Sequence, residues 1–270
     1  HKGKVAAGWA SRGLFEQALN VAEGIQGAGE QAKAFGAIAE AMARAGMTQQ
    51  AQEVFHQALR TAEAIQWAGE RALALGAIAE AMARAGMTQQ ALWEQALQTA
   101  KLQTAKAIQG AWERAWALRA IAKAMAGAGM TQQALWEQAL RTAEAIEEAG
   151  ERAWALGAIA EAMAGTGMTQ QAQEALHQAL RTAEAIEEAW RRTSALRAIA
   201  EALARAGMTQ QAQEAFHQAL QTAKAIQGAR GRAEALGAIA EAMARAGMTQ
   251  QALWEQALQT AKAIQGAQGR

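Results

Sequence analysis

The chain of 270 residues contains no cysteine, no proline and no tyrosine. Without cysteine there is no disulfide framework and no thiolate metal site, although this absence does not fix the redox compartment. Without proline, the strongest breaker of α-helices is missing from the whole sequence. The sequence has few β-branched residues and no alternation of apolar and polar residues, so it does not predict β-strands. Together these absences favour an all-α protein.

The sequence also lacks an excess of charge of either sign and any long apolar run. The chain has 26 basic and 25 acidic residues, a net charge of +1, so no uniform field attracts nucleic acid or an anionic membrane. A charged or amide side chain interrupts every apolar run well before the roughly 20 residues that span a bilayer. The first residues, 1–5, form no apolar signal core. We therefore expect no membrane association and, by default, a cytoplasmic location.

An internal repeat is the strongest pattern in the sequence. The string Gly-Met-Thr-Gln-Gln occurs six times, at intervals of 40, 43, 38, 40 and 40 residues, and a looser copy precedes it. The turn glycines of these copies are Gly13, Gly46, Gly86, Gly129, Gly167, Gly207 and Gly247. We interpret residues 1–270 as a single array of about six and a half repeats. Since neither end shows a polar capping helix, we expect a fragment of a longer array, or ends that meet another surface.

Each repeat is predicted to form two helices joined at the turn glycine. In the first helix, Leu75, Ile78 and Met82 recur at helical spacing and form one apolar stripe. Gly86 is predicted to end this helix in a left-handed conformation, and Thr88 to cap the next helix. Because one helical pair cannot bury both of its faces, neighbouring pairs must stack into an α-solenoid of antiparallel helix-turn-helix repeats. The second helix is predicted over residues 49–66, and its apolar face consists of Ala51, Phe55, Ala58, Leu59, Ala62 and Ile65.

The repeat resembles the tetratricopeptide repeat. The residues that carry the resemblance are Ile38, Ala39 and Met42 of the first helix, Gly46 of the turn, and Ala51, Phe55 and Ala58 of the second helix. The chain departs from that family in its period of about 40 residues instead of about 34, and in lacking the proline usual after the second helix. The resemblance implies a superhelix in which the first helices line a concave groove that holds peptides.

The second helix comes in a long and a short version. The copies after Gly86, Gly129 and Gly247 read Ala-Leu-Trp-Glu-Gln-Ala-Leu and are two residues shorter than the other three. After Gly86, residues 97–101 are repeated at once as residues 102–106, and this insertion roughly restores the helical phase. After Gly129 nothing compensates the deletion, which predicts a kink or a tightened turn at residues 132–136.

No arrangement of side chains indicates catalysis. His56, His177 and His217 occupy equivalent places in the second helices, and we interpret them as a repeated, partly exposed residue and not as metal ligands. The glycines are helix stops, no phosphate-binding loop is present, and serine occurs only at positions 11 and 194. Carboxylate pairs at 147–148 and 187–188 are expected at the solvated surface. We therefore predict a non-enzymatic protein without a metal or cofactor.

Differences between the copies collect on one face of the first helix. Relative to the isoleucine that recurs in each copy, the variable positions lie five and two residues before it and two and six residues after it, spacings that share a helical face. The position five residues before is predicted to be exposed, because a core position would not tolerate such different side chains. Its residues are Lys33, Leu73, Trp116, Trp154, Ser194 and Glu234. The position two residues before reads Gly36, Gly76, Arg119, Gly157, Arg197 and Gly237. In four copies the last two positions are predicted to pair, as Glu40–Arg44, Glu80–Arg84, Glu201–Arg205 and Glu241–Arg245.

The two middle copies depart from this pairing. There Trp116 and Trp154 stand near Arg119, Lys123 and Arg197, which lie outside the predicted Glu–Arg pairs. Aromatic anchors beside arginine suit an acidic peptide with a large apolar side chain. The alternative is that both tryptophans cover neighbouring helices. The remaining tryptophans are assigned to packing, over the turns between repeats for Trp67, Trp112 and Trp190, and in the core for Trp93, Trp136 and Trp254.

The leading interpretation is a scaffold for protein–protein interaction. It binds a peptide or protein segment at Leu73, Trp116, Arg119, Lys123, Trp154 and Arg197. The alternative is a structural array that self-associates, end to end or side by side, into an oligomer or filament. Helical repeats can also read RNA one base per unit, but the Glu–Arg alternation and the net charge near zero argue against a nucleic acid partner.

Overall fold

The computed structural model describes residues 2–101 and 109–268, with the side chains of residues 2–100 and 110–262. All of the regular secondary structure in these ranges is α-helical, which confirms the predicted fold class. The helices of the described residues are α1 (Lys2–Ala10), α2 (Phe15–Glu23), α3 (Ala28–Arg44), α4 (Thr48–Glu63), α5 (Ala68–Arg84), α6 (Gln90–Lys101), α7 (Gln109–Gly127), α8 (Gln133–Glu144), α9 (Ala149–Gly165), α10 (Thr169–Glu184), α11 (Ala189–Arg205), α12 (Thr209–Lys224), α13 (Ala229–Arg245) and α14 (Gln251–Gln268). Odd numbers are the first helices of the repeats and even numbers the second helices.

The helices group into two compact units, His1–Glu147 and Glu148–Arg270. In the first unit, the first helices α1, α3, α5 and α7 pack side by side in one layer, while α4, α6 and α8 pack side by side in another. In the second unit, α9, α11 and α13 form the layer of first helices, and α12 packs on α14. Within each unit every helix also packs on the helix that follows it, which is the solenoid-like packing expected of stacked repeats.

A left-handed glycine follows each first helix, as predicted. The seven turn glycines all have positive φ, from +65° at Gly247 to +85° at Gly167. After Gly46 the chain folds back on the end of α3, because the backbone N–H of Met47 donates to the carbonyl of Met42 at 3.0 Å. The same carbonyl also accepts from the backbone N–H of Ala45 at 3.1 Å, so the fold-back completes the hydrogen bonding at the end of α3.

Threonine does not cap the second helices, so the prediction for Thr88 is wrong. In the long copies the helix begins at the threonine itself, as α4 does at Thr48, and Met47 is the N-cap without a side-chain hydrogen bond. The fold-back has already aligned the carbonyl of Met47, which accepts the first helical bond from the backbone N–H of Ala51 at 2.9 Å. In the copy that contains Thr88, α6 begins two residues later, at Gln90.

In the short copies a tryptophan takes the place of the missing first turn. Trp136 aligns with Phe55 of the long copies and is fully buried. Its indole Nε1 donates to the carbonyl of Met130 at 2.9 Å, and in the long copies the equivalent carbonyl accepts a helical N–H. The same bond joins Trp93 to Met87 at 2.9 Å and Trp254 to Met248 at 2.8 Å.

The two-residue deletion shifts the start of the helix instead of kinking it, which corrects the prediction for residues 132–136. Gln132 is extended, with φ −66° and ψ 108°, and α8 begins at Gln133 as a helix of 12 residues, against 16 in α4. Two of the lost helical residues are deleted and two are unwound into the turn. The duplicated residues 102–106 lie outside the described residues.

Both predicted apolar stripes are buried. Leu75, Ile78 and Met82 of the first helix are at most 1% exposed, and Phe55 and Leu59 of the second are fully buried. The core assignment is confirmed for Trp93 and Trp136, whereas Trp254 is half-buried. Alanine fills most of the remaining core positions, which allows neighbouring helix axes to approach closely.

An arginine near the start of some first helices ties two repeats together. The guanidinium of Arg71 donates to the carbonyl of Ile65, just beyond α4, at 3.0 Å, and Arg232 makes the equivalent bond to Ile226 at 2.9 Å. These bonds satisfy backbone acceptors where a second helix ends. Burial lowers the pKa of Arg71 below its usual value, because the charged form loses contact with water.

Candidate protein-binding surface

We call the four variable positions around the recurrent isoleucine the first-helix face, and its exposure is not uniform. Five residues before the isoleucine, Leu73 and Glu234 are exposed as predicted. The other four side chains at this position are half-buried, namely Lys33, Trp116, Trp154 and Ser194. None of the six is fully buried, so this position lies at the surface throughout.

The position two residues before the isoleucine is a contact between helices in three repeats. Gly36, Gly76 and Gly157 are buried, because the next first helix lies directly over them. A Cβ atom on Gly36 would lie 3.5 Å from Cγ1 of Ile78, and one on Gly157 would lie 3.5 Å from Cγ1 of Ile199. The prediction that this position shares the open face is therefore wrong for these repeats.

Trp116 packs over the preceding first helix. A Cβ atom on Gly76 would lie 3.3 Å from Cζ3 of Trp116 and 3.2 Å from Cβ of Ala120, closer than side chains normally approach. The glycine thus makes room for the indole, which remains half-buried. Trp116 therefore covers a neighbouring helix but remains partly accessible to solvent. It lies on α7, which also carries the exposed Arg119 and Lys123.

The six predicted site residues divide between the two units. Leu73, Trp116, Arg119 and Lys123 belong to the first unit, and Trp154 and Arg197 to the second. Arg197 was predicted to lie outside the Glu–Arg pairs, and this prediction is wrong. It donates to the carboxylate of Glu201 at 2.6 Å, and only 25% of its side chain is exposed.

In the first unit, Glu40 holds two arginines from different repeats. It accepts from Arg44 of its own helix and, on both carboxylate oxygens, from Nε and Nη2 of Arg84, each at 3.0 Å. The Glu40 side chain is only 10% exposed. The hydrogen bonds from Arg84 to Glu40 raise the pKa of the Arg84 guanidinium above its usual value. The Arg84–Glu40 pair therefore joins α5 to α3, while the Arg44–Glu40 pair bridges one turn of α3.

In the second unit, Glu201 is the centre of a larger network. Its carboxylate lies 2.6 Å from Arg197, 3.3 Å from Arg205 and 3.7 Å from Arg245, and its side chain is 9% exposed. Arg205 also donates to Glu161 of the preceding first helix. Three arginines and two carboxylates thus link α9, α11 and α13.

Cross-repeat ion pairs were not predicted from the sequence. Three of the four predicted intrahelical ion pairs form. In the fourth copy, Arg245 lies 3.7 Å from the carboxylate of Glu201 in the preceding repeat, and among the described residues it forms no ion pair with Glu241. The cross-repeat partners are 44 residues apart, which is one period of 40 residues plus about one helical turn. That spacing was the available signal.

Three tryptophans near the turns between repeats are exposed, which corrects their assignment to packing. The exposed fraction is 79% for Trp67, 58% for Trp112 and 54% for Trp190. Trp67 directly precedes α5, while Trp112 and Trp190 occupy equivalent positions near the starts of α7 and α11. The structure therefore leaves these three tryptophans in contact with water near the turns.

An open cleft of about 230 Å³ separates α11 from α13 in the second unit. It exists because Arg197 turns toward Glu201 near the end of α11, while Glu234 accepts from Arg230 at 2.9 Å near the start of α13. Neither long side chain fills the space between the helices. The side chains that line the cleft include Trp190, Ser194 and Arg197 of α11, and Glu234, Ala235 and Ala238 of α13.

The histidines make ordinary polar contacts. Nδ1 of His56 lies 2.6 Å from Oε1 of Gln95, and His177 lies 3.4 Å from Gln211. His56 and His177 are half-buried, and His217 is exposed. Within the ranges described by the structure, no group of three or more potential metal ligands comes together. No helix in those ranges combines the length and the apolar character needed to cross a membrane.

No protein-family model matches the chain, and no curated protein matches it. Among solved structures, it is similar to Ton1535 from Thermococcus onnurineus NA1, at 19% sequence identity and a TM-score of 0.38 over 95% of this chain and 85% of that one.

Proposed function

We propose that the chain is a non-enzymatic scaffold that binds a peptide or protein segment along the first-helix face. The supporting observation is the contrast between a constant core and a varied surface. The recurrent isoleucine is buried in every full copy, while the four positions of the face change in size, charge and exposure. Differences at the exposed positions of this face are expected where those side chains contact something other than another repeat.

The partner is proposed to be acidic with an apolar anchor. On α7 the face presents Trp116, Arg119 and Lys123, an aromatic ring with two cations and no carboxylate at these positions. Leu73 on α5 adds an apolar side chain that is 52% exposed. Arginine and aromatic side chains are enriched in protein interfaces, especially among the residues that contribute most to binding. In the second unit, the residues proposed to contact a partner are Trp154 and Arg197.

A randomised library of dodecapeptides displayed on phage tests this proposal. Selection on the purified chain is expected to enrich peptides that carry Asp or Glu next to a large apolar residue. A variant with Leu73→Ser, Lys123→Glu and Arg197→Gln should bind the enriched peptides at least about tenfold more weakly, since each change removes an interface contact worth about 1 kcal/mol.

The matched control changes charges on the second helices. Arg60→Gln, Arg141→Gln and Arg181→Gln remove three exposed cations from α4, α8 and α10 and should leave capture unchanged. The proposal fails if no peptide is enriched, or if both triple variants lose binding equally, because the first-helix face would then have no special part in capture.

The second candidate function is self-association into an oligomer or filament. It is favoured by the exposed rings of Trp67 and Trp112 on the first unit. Light scattering behind size exclusion, over about two decades of concentration, separates the two functions. A mass that stays near 28.4 kDa excludes self-association, whereas a mass that rises and then falls back in a Trp67→Ser variant supports it.

A further inference from the structure

We propose that the cleft between α11 and α13 binds a single carboxylate side chain of a partner peptide, with an adjacent apolar side chain of that peptide stacked on Trp190. This inference rests on the proposed scaffold function and assigns the chemistry of one subsite within the second unit. Three features of the cleft carry it: the sharing of Glu201, the exposure of Trp190, and the position of Glu234.

Arg197 can turn to a ligand without leaving a buried charge behind. Its partner Glu201 also lies near Arg205 and Arg245, at 3.3 and 3.7 Å, so the buried carboxylate keeps two cations when Arg197 moves. With Glu161 included, three guanidinium groups lie within 4 Å of two carboxylates, so these ion pairs contain one more cation than anions. An incoming carboxylate balances that charge with a charge-assisted hydrogen bond.

Trp190 supplies the apolar half of the subsite. Its ring is 54% exposed at one end of the cleft, two helical turns before Arg197 on the same helix. The cleft volume of about 230 Å³ is below the roughly 300–1,000 Å³ typical of sites for whole small molecules. It therefore suits one or two side chains of a peptide, and the hydroxyl of Ser194 lies between the apolar and the cationic ends.

Glu234 limits the charge that the cleft accepts. Its side chain is 61% exposed on the opposite wall, and its partner Arg230 is 94% exposed, so water screens that ion pair strongly. A carboxylate brings one negative charge, which Arg197 balances. A phosphate brings nearly two at neutral pH, and the second lies against Glu234. The cleft is thereby selective for carboxylate over phosphate.

Blocked hexapeptides titrated against the full chain test the inference. The probe is Ala-Ala-Phe-Glu-Ala-Ala, and its variants replace Glu with Gln, Lys or phosphoserine, or Phe with Ala. Binding is followed by the indole ¹H–¹⁵N signal of Trp190, assigned by its loss in Trp190→Phe. The Glu probe is expected to shift this signal and to bind about tenfold or more tightly than the Gln and Lys probes, as expected for losing one charged hydrogen bond.

Variants of the cleft give a second readout. Arg197→Gln should weaken the Glu probe about tenfold or more, with no such loss for the Gln probe. Glu234→Gln should tighten phosphoserine relative to Glu. Trp112→Ala, which changes the equivalent exposed tryptophan of the first unit, is the matched control and should leave affinity unchanged.

Several results overturn the inference. They are a stronger response to the Lys probe than to the Glu probe, equal affinity for Glu and phosphoserine, equal losses in Trp112→Ala and Arg197→Gln, or no shift of the Trp190 signal at millimolar probe. The scaffold function stands or falls separately, because the phage selection covers the whole first-helix face. Peptides that it enriches and that ignore Trp190 and Arg197 would remove this subsite and leave the scaffold function in place.

Discussion

Replacing Trp136 with phenylalanine should destabilise the α8 region strongly, because the indole does two things there. Its Nε1–H satisfies the buried carbonyl of Met130 at 2.9 Å, and its larger ring fills the space left by the missing first turn. An unpaired buried carbonyl costs about 1–3 kcal/mol. The smaller ring leaves a void worth about 1–2 kcal/mol more. We expect Trp136→Phe to lower the free energy of unfolding by about 2–5 kcal/mol.

The measurement is urea unfolding followed by circular dichroism, together with amide hydrogen exchange of α8. Exchange is needed because repeat arrays do not always unfold as one cooperative unit. Trp190→Phe is the control, and it should change stability by less than about 0.5 kcal/mol since that ring is half in water. The reverse change, Phe55→Trp, adds bulk where the Met47 carbonyl is already bonded and should cost about 1–3 kcal/mol. If α8 exchanges equally fast in Trp136→Phe and Trp190→Phe, the structural role of the indole is refuted.

Three further predictions concern the layer of first helices. Glu201→Gln should cost about 1–3 kcal/mol in thermal unfolding, since it weakens three arginine contacts; Glu241→Gln should change little, and equal effects would contradict the network. Gly76→Ala should destabilise by about 1–2 kcal/mol because its Cβ meets Trp116 and Ala120, whereas Gly237→Ala, with open space around it, should stabilise by about 0.5–1 kcal/mol. Trp67→Ser should not lower the unfolding midpoint, because Trp67 is 79% exposed and serine is a favourable N-cap for α5, while it should lower any association seen by light scattering; a large drop in stability would show that the ring packs.

The parts of the fold that were predictable from the sequence depend on local chemistry. A left-handed glycine such as Gly46 ends a helix wherever it stands, and a stripe such as Leu75, Ile78 and Met82 needs only helical periodicity. The cap at Thr88 was misjudged because the start of the second helix depends on tertiary contacts after the turn. In this copy the indole of Trp93 donates to the Met87 carbonyl, and α6 begins only at Gln90.

The candidate site was harder to predict, because its properties arise between repeats. Gly76 is buried only because the next first helix carries Trp116, and Arg197 and Glu234 border a cleft only because each is drawn along its own helix. To predict such contacts, one must know how neighbouring first helices are aligned with each other, and the sequence of a single repeat does not contain that alignment. The 44-residue spacing of Glu40 and Arg84 holds that register, since it adds one helical turn to the period.

The interchange of a helical turn and a tryptophan has a consequence for how such a chain changes over time. The long and the short second helix both bring Ala and Leu to fully buried places, as Ala58 and Leu59 do in α4 and Ala96 and Leu97 in α6. Each version bonds the methionine carbonyl after its own turn, through a helical N–H in the long version and through the indole in the short one. An exchange between copies that replaces one version of the second helix with the other therefore keeps these buried positions and closes the turn, while the contacts between first helices stay as they were.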